Sequence, residues 1–161
     1  MVIVLMGVSG SGKTTVGERL AEELGWPFYE GDDLHPPANV DKMSQGIPLD
    51  DSDRLPWLNR LRDLIHEHLA AGKNAIVASS ALKKWYRQHL AQGSDEVCFV
   101  YLKGDYDLIE ERMEWRQDHF MKANLLESQF ETLEEPQNAL VVDVSQPPEA
   151  IVRYIREKLG L

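Results

Sequence analysis

Gly7 to Thr14 read GVSGSGKT and match the spacing G-x-x-x-x-G-K-[ST] at every fixed position. A short apolar run, Val2 to Met6, precedes them and a helical pattern follows, which is the strand–loop–helix setting this spacing requires. Gly7, Gly10 and Gly12 allow backbone conformations closed to other residues, so the amides of Val8, Ser9, Ser11 and their neighbours can converge on one anion. The helix opening at Lys13-Thr14-Thr15 adds its positive end and its unpaired N–H groups. Lys13 is expected to reach the β/γ-phosphates, and the Thr14 hydroxyl to face Mg²⁺. This stretch is therefore read as a triphosphate site, with ATP as the bound nucleotide and Gly7 through Thr15 as its cradle.

A second group of residues could direct the transferred phosphoryl group. Glu30-Gly31-Asp32-Asp33-Leu34-His35 ends the second apolar run. Carboxylates at the carboxyl end of a parallel strand can orient or deprotonate an acceptor hydroxyl, or hold Mg²⁺ through water. Asp32 is the candidate for this role; Asp32 and Asp33 as simple turn or helix caps is the plainer alternative. Arg54 offers a guanidinium suited to bidentate binding of a carboxylate, whereas Asp50 and Asp51 beside it read as a solvated acidic face. Lys83 and Arg87, four apart on a helix, fit a substrate anion and fit a solvated basic face equally well. Arg112 and Arg116 are of the type that neutralises transferring phosphoryl charge. His119-Phe120 just beyond them suggests a lid.

These residues need a scaffold. Apolar runs at Val2–Met6, Pro27–Tyr29, Asn74–Ala78, Val97–Leu102 and Leu140–Val144 alternate with helical patterns. That alternation predicts an α/β fold, a parallel five-stranded sheet with helices on both faces. Helices are expected at Lys13–Leu24, from Pro56 to about Gly72, at Lys83–Leu90, from Asp105 as N-cap, and from Pro147-Pro148 to Gly160. Two weakly periodic stretches interrupt the pattern, 34–55 as a substrate-binding insert and 117–137 as a lid. Such inserts close over substrates and exclude water in phosphotransferases.

The 161 residues suit a single domain, and 43% of them are hydrophobic, enough for a real core. A net charge of −10 argues against general binding of nucleic acid or anionic membrane. No apolar run approaches the roughly 20 residues of a membrane span, and Met1 begins no signal-peptide pattern. The lone Cys98 has no partner for a disulfide and fits a reducing, cytoplasmic setting. Guanine-specificity motifs, protein-kinase catalytic loops and Cys/His clusters are all missing from the sequence.

Taken together, GVSGSGKT, GDDLHP, DRLPWL, SALKKWYR, HFM at 119–121 and SQF at 128–130 resemble gluconokinases of the thermoresistant bacterial type, in order and over nearly the whole chain. The resemblance implies transfer of the ATP γ-phosphoryl group to the 6-hydroxyl of D-gluconate. It implies the nucleoside-monophosphate-kinase variant of the P-loop fold, strand order 2-3-1-4-5 with a lid, and a homodimer. More distantly, similarity to shikimate kinase implies Asp32 at the acceptor hydroxyl, Arg54 at the acceptor carboxylate and Arg116 as the lid arginine. It also implies adenine between Arg112 and Pro147 or Pro148. His35, Lys83, Arg87 and His119 are further candidates for the acceptor site. Three positions depart from the family pattern: Glu30 for a frequent aspartate, Ser79 for a cysteine, and Gln88 for an aspartate. Another small-molecule kinase of the same fold, or a nucleotide-binding regulator without transfer activity, would share the donor site but not the full acceptor set.

Overall fold

The computed structural model describes residues 1–114 and 123–161. Strand β1 (Val2–Met6) is buried along its whole length. A strand apolar on both faces belongs in the middle of a covered parallel sheet, and β1 lies there. It pairs on one side with β3 (Ala75–Ala78) and on the other with β4 (Val97–Lys103). β2 (Phe28–Glu30) closes one edge on β3, and β5 (Leu140–Asp143) the other on β4. All pairings are parallel and the order is 2-3-1-4-5, as expected.

Helices α1 (Lys13–Leu24) and α7 (Pro148–Leu159) pack together, as do α3 (Asp51–Ala70) and α4 (Lys84–Ala91). Right-handed crossovers put these pairs on opposite faces, because the chain moves one way along the sheet from β1 to β2 and the other way afterwards. The stripes Val16/Leu20, Leu58/Leu61/Ile65 and Ile151/Ile155 are fully buried, as their helical spacing predicts. Asp105 caps α5 (Tyr106–Glu114) by accepting from the Leu108 amide at 2.9 Å.

The insert is more ordered than its sequence suggests. Gly31–Leu34 forms a turn of 3₁₀ helix, α2 spans Pro37–Ser44, and α3 begins at Asp51 rather than at Pro56. The cause is a capping box. The Asp50 side chain accepts from the Asp53 amide at 2.8 Å, and the Asp53 carboxylate accepts from the Asp50 amide at 3.0 Å. Pro56 therefore sits inside the helix. The late insert likewise contains a helix, α6 (Ala123–Thr132). No described helix is long and apolar enough to cross a membrane.

Gly31 joins the sheet to the site. A Cβ at this position would lie 2.2 Å from the Ala78 carbonyl oxygen, a backbone atom that cannot step aside. Gly31→Ala should cost about 1–3 kcal/mol as overpacking. Thermal denaturation should record a midpoint several degrees lower, at about 2–4 °C per kcal/mol for a chain of this size.

Candidate active site

The loop after β1 turns sharply enough to require glycine. Gly10 has φ 82° and Gly12 has φ 98°, both in the left-handed region. Gly12 is the N-cap of α1, and no side chain caps the helix there. The Lys13 ammonium lies along the loop, donating to the carbonyls of Gly7 and Val8 at 2.9 Å each. The Ser11 hydroxyl is buried and makes no hydrogen bond among the described residues. An uncapped helix start, a lysine on the loop and an orphaned hydroxyl inside the turn fit a bound phosphate group.

At the start of α1 the cradle is extended by an interaction the sequence did not show. The Thr14 hydroxyl donates to the Glu30 carboxylate. β2 is not adjacent to β1, since β3 lies between them, yet Glu30 reaches the first turn of α1. Burial raises the Glu30 carboxyl above its usual range, and the Thr14 hydroxyl opposes that rise. Among the described residues no cluster of three or more His, Cys, Asp or Glu could chelate a metal by itself. One hydroxyl with a carboxylate behind it suits Mg²⁺ retained by phosphates and water rather than by a protein cage.

Beside the loop is a cavity of about 530 Å³, counting the solvent at its mouth. Ser9 and Lys13 form its donor wall, and Asp32 and His35 its floor. Met43, Pro48 and Leu49 of the insert add apolar lining, and Arg54 and Trp57 of α3 also line it. Ser128 and Gln129 of α6 complete it, and the Gln129 side-chain oxygen accepts from the Ser9 amide at 2.6 Å. The first insert and the helix of the second thus meet over the phosphate loop.

Asp32 lines this cleft and keeps 37% of its side chain accessible. Desolvation by the walls raises its carboxyl above the ordinary range, and the Lys13 charge pulls the other way. His35 stacks on Trp57, with ring centroids 4.2 Å apart, and the indole N–H donates to the Gly31 carbonyl at 2.8 Å. The Arg54 guanidinium donates to the Tyr86 hydroxyl at 2.7 Å, and that hydroxyl donates to Asp51 at 2.5 Å. Lys83 holds the same carboxylate at 2.9 Å. The Tyr86 phenol is pushed up to about 12, mainly by burial and then by Asp51, so it remains a donor at neutral pH.

The structure brings together Lys13, Asp32, His35 and Arg54 around the cavity, and bonds Thr14 to Glu30. It places two other candidates elsewhere. Lys83 is engaged with Asp51 outside the cavity lining; Asp51 is solvent-exposed, as expected, and also accepts from Tyr86. Arg87 is buried, and its guanidinium donates to the carbonyls of Ala81, Leu82 and Glu134 at 2.8–3.1 Å. It clamps the turn after β3, where Ala81 is held at φ 44°, and does not face the cavity. Arg112 donates to the Val144 carbonyl at 2.5 Å, and Pro147 is the N-cap of α7 just beyond that strand. Arg116, His119 and the first part of the expected lid lie outside the described residues. The sequence reading gave no role to Tyr86, Asn39 or Gln129, although all three stand among the residues that carry the family resemblance.

A glycine-rich anion loop, a metal-compatible hydroxyl and an acid-bearing cavity on a 2-3-1-4-5 parallel sheet define a P-loop small-molecule phosphotransferase. The AAA domain family model matches residues 2–137. The thermoresistant gluconokinase of Escherichia coli K12 is 47% identical over 155 residues, covering 94% of this chain and 89% of that protein. The thermosensitive gluconokinase of the same organism is 54% identical over 134 residues, covering 83% of this chain and 72% of that protein. A solved gluconokinase from Sinorhizobium meliloti 1021 superposes with a TM-score of 0.84 at 46% identity, covering 99% of this chain and 95% of that one. The chain belongs to the gluconokinase family.

The raised Asp32 carboxyl has a stability consequence with a defined sign. Its folded form holds its proton more tightly than the unfolded chain, so its contribution to stability falls as pH rises above the unfolded value of 3.8. Asp32→Asn removes that dependence. The variant should melt above the wild type at pH 7.5, and the difference should shrink as pH is lowered toward 4, as read by thermal scans across that range.

Proposed function

We propose that this chain transfers the γ-phosphoryl group of ATP to the 6-hydroxyl of D-gluconate, giving 6-phosphogluconate and ADP. The observation that carries this reading is the single cavity in which the phosphate-loop lysine, Asp32 and Arg54 meet. The family relatives named gluconokinase support the choice of acceptor. Arg54 is suited to the gluconate carboxylate, a planar anion that a guanidinium binds bidentately. The polyol chain then runs from Arg54 toward Asp32.

In this mechanism the loop amides and Lys13 hold the β- and γ-phosphates in line with the acceptor oxygen. Thr14, with Glu30 behind it, would hold Mg²⁺, which would supply neutralisation of the phosphate charge. The bond from the acceptor oxygen to the γ-phosphorus forms as the bond to the bridging oxygen of ADP breaks. Asp32 orients the hydroxyl and takes its proton; the desolvated carboxyl is a better proton acceptor than an ordinary aspartate. Phosphoryl transfer passes through a loose transition state in most analyses, so positioning outweighs base strength. Arg116 is assigned to the equatorial oxygens as the lid closes, and Arg112 with Pro147 to the adenine. A homodimer and a cytoplasmic location complete the proposal.

A coupled ATPase assay over a panel of acceptors tests the substrate: D-gluconate should be turned over well ahead of shikimate and of nucleoside monophosphates. Lys13→Ala should lower kcat by about tenfold to a thousandfold with the fold intact. Arg116→Ala should do the same, and near-normal turnover in a folded variant would remove it from the reaction. Arg54→Ala should act mainly on acceptor binding, raising the gluconate KM while leaving the ATP KM near its wild-type value. Tyr86→Phe keeps the ring but loses the hydroxyl that steers Arg54, so it should raise the gluconate KM less than Arg54→Ala does.

A further inference from the structure

The orientation of His35 is fixed by a buried chain of hydrogen bonds whose proton positions can be deduced. The Asn39 side-chain nitrogen lies 2.8 Å from the Asp53 backbone carbonyl. A carbonyl only accepts, so the atom facing it must be the amide nitrogen, and the amide cannot be flipped. That same nitrogen lies 3.1 Å from His35 Nδ1. One amide hydrogen goes to the carbonyl and the other to the ring. Nδ1 must therefore accept, and the proton of the neutral imidazole is on Nε2.

Nε2 is the nitrogen that faces Asp32. It lies 3.9 Å from the Asp32 carboxylate, too far for a direct hydrogen bond. An oxygen about 2.8 Å from each atom would bridge them. Only a group that both accepts and donates satisfies that pair, and a hydroxyl does so. The ring has little freedom to choose another pose. It is stacked on Trp57, which is itself 1% exposed, and Asn39 is 3% exposed. Asp53, whose carbonyl anchors Asn39, is held by the α3 capping box and by Lys42 at 2.8 Å. Burial, and next the charge of Arg54, lower the His35 pKa to about 4, so the imidazolium is disfavoured at neutral pH. With Nδ1 committed to Asn39, no basic nitrogen of His35 is available to the cavity.

We propose that His35 is a specificity residue acting as a fixed neutral donor: Nε2–H and the Asp32 carboxylate together grip one hydroxyl of the acceptor, and Asn39 is the positioning residue that sets the tautomer. The proposal rests on the polyol-acid acceptor assigned above. It implies that a keto analogue, which can accept from His35 but cannot donate to Asp32, and a deoxy analogue, which can do neither, are discriminated at this point of the cavity.

The test combines spectroscopy with kinetics on the full chain. In ¹⁵N-histidine-labelled protein, with the His35 signals assigned by their loss in His35→Gln, wild-type His35 should show a protonated Nε2 and an unprotonated Nδ1 from pH 6 to 8. Asn39→Leu should lose that single-tautomer pattern and raise the gluconate KM by at least about tenfold, with the ATP KM near wild type. His35→Gln keeps an N–H near the Nε2 position, so its kcat/KM for gluconate should exceed that of His35→Leu by at least about tenfold. A wild-type spectrum with the proton on Nδ1, or equal losses in folded His35→Gln and His35→Leu, would overturn the inference. The spectrum requires no variant to retain activity. If wild-type protein fails to phosphorylate gluconate, the acceptor assignment falls separately from the tautomer assignment.

Discussion

Every part of the site depends on one electrostatic demand: several phosphate charges must be met at a point where the protein itself has net negative charge. A chain carrying −10 cannot attract a triphosphate by its overall field. It does so by aligning backbone N–H groups, and a parallel sheet is the scaffold that allows it. Because all five strands run the same way, their carboxyl ends open on one side. β1 delivers the glycine turn there, β2 the carboxylates of Glu30 and Asp32, and β3 the segment containing Ser80. The full burial of β1 is what holds the loop rigid against that concentration of charge.

The same demand explains why so many cations in and around the site are tied to the protein's own oxygens. Lys13 rests on two loop carbonyls, Arg54 on Tyr86, Lys83 on Asp51, and Lys42 on Asp53. Each arrangement holds a long side chain in one orientation, which reduces the entropy lost when substrate arrives. Arg87 shows the extreme case. Its guanidinium is spent wholly on carbonyls, and the reward is a turn at Ala81 that the backbone would otherwise avoid.

The architecture was legible in the sequence because it rests on local signals: a glycine motif between an apolar strand and a helix, continuous apolar runs, period-3.6 patterns, and stops at glycine. The strand limits shifted by a residue or so, as at β2. What could not be read was which side chains bond to one another, within a turn or between distant segments. The capping box of Asp50 and Asp53 starts α3 five residues before the proline that looked like its beginning. Lys83 and Arg87 share a basic helix face by spacing, yet one meets a carboxylate from α3 and the other a ring of carbonyls. Thr14 and Glu30 are joined across an intervening strand. Spacing along a chain reports which face a residue occupies, not which oxygen will be waiting there.

Pro56 has a consequence beyond the start of its helix. With no amide hydrogen, it cannot return a bond to the Ser52 carbonyl one turn back. The turn bearing Arg54 is therefore joined to the body of α3 by one main-chain link fewer than a regular helix would supply. What aims the guanidinium is the lateral tether through Tyr86 to Asp51 and Lys83. If Arg54 holds the acceptor's anionic end as proposed, that recognition is separated from the mechanical integrity of the helix. Divergence among relatives can redirect that end of the cavity by changing the tether, leaving the long helix and the sheet beneath it untouched.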